Sequence, residues 1–135
     1  MEDIKRDDWC FACGLKNPFG LKMEFYWEGE DYLCRFTPRK EHQGYDEIMH
    51  GGLVSTLLDE VMGRSLYIQK IEAVTARLEV RYRQPTPIGQ ELVIRGQMIE
   101  KRGKIWRLAA NITLPDGTVT AEANATMMVR NREVK

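Results

Sequence analysis

Apolar and polar positions alternate along this chain with two different periods, and the switches between them divide it into elements. Leu21, Met23, Phe25 and Trp27 alternate with polar neighbours, and so do Tyr32, Cys34 and Phe36. Glu28-Gly29-Glu30-Asp31 lies between the two runs as a turn, which predicts a hairpin. Residues 37–47 are polar, hold Pro38 and Gly44, and predict a loop. From Gly51 to about Gln69 the period lengthens, and Leu53, Val54, Leu57, Leu58, Val61 and Met62 fill one broad arc of a helix. Period two then returns. Val74, Ala76, Leu78, Val80 and Tyr82 face one way, while Thr75, Arg77, Glu79, Arg81 and Arg83 face the other. Pro85-Thr86-Pro87-Ile88-Gly89 ends that strand, because proline has no N–H for a ladder. Leu92, Ile94 and Met98 mark the next strand, and Lys101-Arg102-Gly103-Lys104 turns it back. Trp106, Leu108, Ala110, Ile112 and Leu114 follow, then the hairpin signal Pro115-Asp116-Gly117. Val119, Ala121, Ala123, Ala125, Met127 and Val129 form the last strand.

Two strands, one long helix and four meandering strands with one apolar face each predict an α+β domain whose antiparallel sheet wraps the helix. A chain of 135 residues holds one such domain, taken as 1–135, with residues 1–20 as an N-terminal extension. One helix cannot cover the whole inner face and both sheet edges. A homo-oligomer, a dimer at least, is therefore expected.

Composition removes some functions. Lys plus Arg equals Asp plus Glu at 20 each, so the basic excess of a nucleic-acid binder is missing. No apolar run reaches the length of a membrane span, and no membrane partner is expected. The charged start, residues 1–8, has no signal-peptide core, which predicts a cytoplasmic location. The odd count of three cysteines argues against a disulfide framework.

Candidate chemistry concentrates where loop meets helix, from His42 to Gly52. Gly51 and Gly52 leave backbone N–H groups open at a helix start, where the dipole favours a developing oxyanion. A tight turn is the commoner use of two such glycines. Asp59 lies off the apolar arc, one turn from Ser55, Thr56 and Gly63, all small enough to leave a furrow. It can act as general base or nucleophile, although a solvated acidic face shared with Glu60 is the plainer role. His50 and His42 are the only histidines; each can orient a substrate or merely cap and pack. Cys10-Phe11-Ala12-Cys13 suggests a zinc knuckle or redox pair, but about two more ligands would be needed. Cys34 and His42 are nearest in sequence, no second pair exists, and structural thiols without metal or cofactor are expected. Arg77 and Arg81 share a strand face and can meet phosphates, as can Lys101, Arg102 and Lys104, or simply be solvated.

These segments together resemble the PaaI-like branch of the hotdog thioesterase superfamily. His50-Gly51-Gly52, with Asp59 nine positions after the histidine, is similar to its HGG motif, and Gln43-Gly44 to the QG before it. Cys10-Phe11-Ala12-Cys13-Gly14, with Asn17-Pro18 and Gly20-Leu21, is similar to a common N-terminal segment. The stretch from Thr75 to Tyr82, with Pro85 and Gly89 after it, is similar to the strand that follows the helix. The resemblance covers about Cys10 to Val129 and implies the hotdog fold. It also implies a dimer, often paired into a tetramer, with active sites between subunits and acyl-CoA as substrate. It makes Asp59 the nucleophile or general base and the Gly52 N–H the carbonyl donor. His50 shapes the site, and Thr75, supplied by the partner subunit, assists the attacking water. Gln43, Gly51, Ser55, Arg77 and Arg81 are the expected substrate contacts. A dehydratase of the same superfamily would place a histidine where Asp59 stands. A non-catalytic acyl-CoA sensor would share the motifs.

Overall fold

The computed structural model describes residues 8–131; the charged residues 1–7, expected to lack a signal core, lie outside the described residues. The elements are β1 (Phe25–Glu28), β2 (Asp31–Phe36), a 3-10 turn (Lys40–His42), α1 (Gly51–Tyr67), β3 (Glu72–Tyr82), β4 (Leu92–Arg102), β5 (Ile105–Thr113) and β6 (Val119–Asn131). The six strands make one antiparallel sheet in the order β1-β2-β4-β5-β6-β3, wrapped around α1, which is the hotdog arrangement. Among the described residues no helix is long and apolar enough to cross a membrane.

The helix forms where its period predicts. Leu57, Leu58, Val61 and Met62 are fully buried against the sheet, each contributing roughly 1.5–3 kcal/mol. Its approach is close: a Cβ on Gly96 in β4 would stand 3.3 Å from Val61. Small residues at Ala121, Ala123 and Ala125 of β6 make the same room and are buried beneath it. The helix ends without a glycine. Lys70 takes the left-handed conformation at φ 64°, and Ile71 N–H reaches back to the Leu66 carbonyl at 3.0 Å, closing a Schellman-type turn.

Three features differ from the sequence pattern. Leu21 and Met23 are buried but precede β1, because their N–H groups bond to the Phe11 and Ala12 carbonyls instead of a sheet neighbour. Glu60 is not solvated; it is 8% exposed. The third lies in β3, where Thr75 pairs with Met127 but Arg77 with Thr126, so Ala76 is an extra residue. This bulge breaks the alternation. Thr75 joins Leu78, Val80 and Tyr82 on the helix side, opposite to the face its parity predicts, while Arg77, Glu79 and Arg81 remain on the outer face.

The loop before the helix is braced from two sides. His42 is 5% exposed, lies against Phe36, and accepts from the Arg39 N–H through Nδ1 at 2.9 Å. Burial, and then the Arg39 cation, hold its pKa below 6.5. The unfolded chain takes up the proton first as pH falls, so this contribution to stability is complete above about 6.5 and fades below it. The urea midpoint is expected to drop between about pH 7.5 and 5.5, and to drop less in His42→Gln. Equal slopes in the two proteins would show that His42 does not carry the effect.

Candidate functional site

Asp59 projects from the flank of α1 toward β3, half-buried, and its Oδ1 accepts a hydrogen bond from Thr75 Oγ1 at 3.1 Å. The donor is the Thr75 of Asp59's own chain. The bulge at Ala76 makes the contact possible. The same hydroxyl lies 3.5 Å from the Met127 sulfur, so Thr75 is held between strand and helix. The pair lines a cleft of about 280 Å³ with Gly63, Tyr67, Ile71 and Met127. A larger depression, about 590 Å³ beside Trp27, Asp31 and Gln97, holds the candidate phosphate contact Lys101 but neither Asp59 nor the helix start.

At the start of α1, His50 is the N-cap, and its Nδ1 accepts from the Gly52 N–H at 2.9 Å. This occupies the donor expected to polarise the carbonyl. The Gly51 N–H has no acceptor among the described residues, and Gly51 is exposed, so Gly51 rather than Gly52 presents the open donor. Accepting at Nδ1 leaves the neutral His50 ring with its proton on Nε2. His50 thus shapes the helix start.

Gln43 closes the loop ahead of this helix start. Its side-chain oxygen accepts from the Glu47 N–H at 3.0 Å, beside Glu47's left-handed backbone at φ 64°. Met49 N–H bonds the Thr86 carbonyl at 2.8 Å, tying the loop to the β3–β4 connection. The Ser55 hydroxyl meets the Tyr82 hydroxyl at 2.6 Å, and Tyr82 donates to the Gly51 carbonyl at 2.8 Å. Tyr82, classed by sequence only as an apolar-face residue, thereby clamps the helix start. Its position on the helix side of β3 was the available signal.

The structure does not bring Arg77 and Arg81 to Asp59. They lie on the outer face of β3, with Arg77 paired to Glu79 at 2.8 Å. Met49, Met62 and Trp106 are buried in the core and Phe19 and Trp27 are exposed; the cleft's apolar wall comes from Tyr67, Ile71 and Met127. Glu72 is a cleft residue that no sequence motif marks. Its side chain is 1% exposed and neither oxygen accepts a hydrogen bond among the described residues; Arg130 Nη1 stands 3.7 Å away.

The cysteine pair also gains a neighbour from elsewhere in the chain. Cys10, Cys13 and Glu60 place their donor atoms within 4.8 Å of one another. Burial, and then the hydrogen bond to Glu60, push the Cys13 thiol up to about 12. Cys34 and His42, the nearest further ligands in sequence, stay outside this group.

The sequence pattern of the thioesterase superfamily matches residues 46–121, more than half of the chain and the part holding both Asp59 and the helix start. Mouse acyl-coenzyme A thioesterase 13 is 29% identical over 60% of this chain and 59% of its own length. The chain spans between 36% and 59% of the first curated relatives it matches, from yeast, cow, rat and mouse. Among solved structures, the thioesterase superfamily protein RHA08564 superposes with a TM-score of 0.82 at 24% identity, covering 87% of this chain and 61% of its own. The protein smu.793 from Streptococcus mutans, solved bound to acetyl CoA, gives 0.76 at 20% identity, covering 82% of this chain and 90% of its own. Motif, strand order and matched span agree, and the chain belongs to the thioesterase superfamily.

Proposed function

We propose that this protein hydrolyses an acyl-CoA thioester to a free acid and CoA, in an active site completed by a second copy of the chain. The observation that carries the reading is the Thr75–Asp59 pair beside a cleft, on the same helix as an open Gly51 N–H. The name of the mouse relative and the acetyl CoA in the Streptococcus mutans structure support the substrate class.

The two ends of this machinery cannot meet in one chain. Gly51 and Asp59 are eight residues apart on α1, roughly 12 Å along the axis, whereas both must come within about 3 Å of the reacting groups. A two-fold axis near Ser55 would set each Gly51 against the partner's carboxylate. Small residues at Gly51, Gly52, Ser55 and Thr56 allow two helices to approach on that side. The long β3 edge, which ends the sheet, supplies backbone pairing for such a dimer.

In the assembled site, the Gly51 N–H at a helix N-terminus polarises the thioester carbonyl. Asp59, oriented by Thr75, takes a proton from the attacking water, the C–S bond breaks, and that proton leaves with the CoA thiolate. In the nucleophilic alternative Asp59 attacks the carbon itself, CoA leaves as thiolate and takes a proton from solvent, and water then hydrolyses the acyl–Asp59 anhydride to the free acid. A thioester carbonyl has little of an amide's resonance protection, so a carboxylate and backbone donors suffice.

The test is release of free thiol from a panel of acyl-CoAs, from acetyl to long-chain and aromatic. Enzyme-dependent release with a preferred acyl class is expected. Tight binding with no thiol release from any member would instead identify a sensor. Thr75 should tune the step: losing a hydrogen bond to a charged group corresponds to about a tenfold to hundredfold fall in kcat for Thr75→Ala. Thr75→Ser, which keeps the hydroxyl, should stay near wild type.

A further inference from the structure

We propose that Cys10, Cys13 and Glu60 form a site for a zinc-class divalent cation, which ties the N-terminal segment to the central helix beside Asp59. The three donor atoms come from a tight turn and from α1, fifty residues apart in sequence, yet lie within 4.8 Å of one another. Tetrahedral zinc, with bonds of about 2.0–2.3 Å, holds its ligands roughly 3.5–3.8 Å apart. The thiols and carboxylate therefore need to close by only about 1 Å. Two thiolates favour zinc over magnesium or calcium, which prefer all-oxygen shells. Solvent supplies the fourth ligand.

The turn is built tightly around this geometry. Gly14, directly after the second cysteine, donates to the Cys10 carbonyl at 2.8 Å, and Lys16 N–H bonds the Asp8 carbonyl at 2.9 Å. A Cβ on Gly14 would stand 2.4 Å from both the Asp8 oxygen and the Cys10 nitrogen, so the backbone crosses itself here and only glycine fits. Leu21 and Met23 then bond back to Phe11 and Ala12, which fixes the cysteines over α1.

The electrostatics also close. Two thiolates and a carboxylate carry three negative charges, so a bound dication leaves one uncompensated. Arg64, one helical turn after Glu60, places Nη1 3.7 Å from the Cys13 sulfur. Its Nε is buried and makes no hydrogen bond among the described residues. One guanidinium thus neutralises the complex. The Glu60 carboxylate is already hydrogen-bonded to the Cys13 thiol, and metal binding would replace that proton by the cation.

The experiment is metal analysis of the purified full chain, with any affinity tag removed, by mass spectrometry and by cobalt substitution. About one zinc per chain is expected, together with thiolate-to-cobalt charge transfer in the cobalt form. Cys10→Ser combined with Cys13→Ser should abolish both. Glu60→Gln should weaken zinc binding at least tenfold, and Cys34→Ser should change neither reading. If the double variant fails to fold, alkylation of the wild type decides: zinc should protect Cys10 and Cys13, and a chelator should expose them. The proposal is overturned by protein that carries no zinc and takes up neither metal after reduction. Binding that survives the double substitution, or alkylation unaffected by zinc, overturns it equally. None of these readouts depends on turnover, so the site stands or falls independently of the proposed hydrolysis.

Discussion

Replacing Asp59 by asparagine is expected to lower kcat on the best acyl-CoA by about 10²–10⁴-fold, the range associated with losing a general acid–base group. The substitution is nearly isosteric. An asparagine oxygen can still accept from Thr75 Oγ1, which now meets Asp59 at 3.1 Å, so the cleft and helix should keep their form. What disappears is the ability to take a proton or to attack a carbon. Thermal unfolding and gel filtration should match wild type, because the side chain is half-buried on a helix flank and asparagine keeps its size and its acceptor. A well-folded variant retaining more than about a tenth of wild-type turnover would remove Asp59 from the mechanism.

The second large effect concerns one backbone hydrogen. Gly51→Pro is expected to lower kcat by about 10²–10³-fold, as loss of an oxyanion donor does, while leaving the protein folded. Gly51 is the first residue of α1, where proline is well tolerated. His50 before it has φ −57° and ψ 132°, the extended conformation that a following proline requires. A side chain at Gly51 meets Tyr82 no closer than 3.7 Å. Gly51→Ala keeps the N–H and should remain near wild type, so the pair separates the hydrogen from the side chain. If Gly51→Pro were as active as Gly51→Ala, the donor would lie elsewhere.

Combining the two variants tests whether the site is shared. A dimer of one Gly51→Pro chain and one Asp59→Asn chain holds one intact site and one doubly defective site. Co-expression should therefore recover about a quarter of wild-type activity, assuming random pairing of the two chains. Mixing would restore nothing if both groups acted within one chain.

Much of this molecule could be read locally. The period-3.6 arc of Val54, Leu57, Leu58, Val61 and Met62 fixed helix and buried face together, because both follow from angular spacing alone. Gly29, Gly103 and Asp116-Gly117 marked hairpins because left-handed backbone at Gly29, Gly103 and Gly117 is inexpensive only for glycine. Asp59 stood out through its spacing from His50, a one-dimensional feature.

Other decisions belonged to contacts between distant segments. Parity placed Thr75 on the outer face; pairing with β6 inserted Ala76 as a bulge and turned Thr75 toward Asp59. Spacing alone made Gly51 and Gly52 equivalent donors; the His50 ring occupied one and left the other. Composition read Glu60 as a solvated acid; folding the N-terminal turn across the helix buried it against two thiols. Amino-acid order sets the identity of each group and the face it takes relative to its own backbone. Register, capping partner and burial depend on which remote atoms arrive beside it, and only the packed chain determines those.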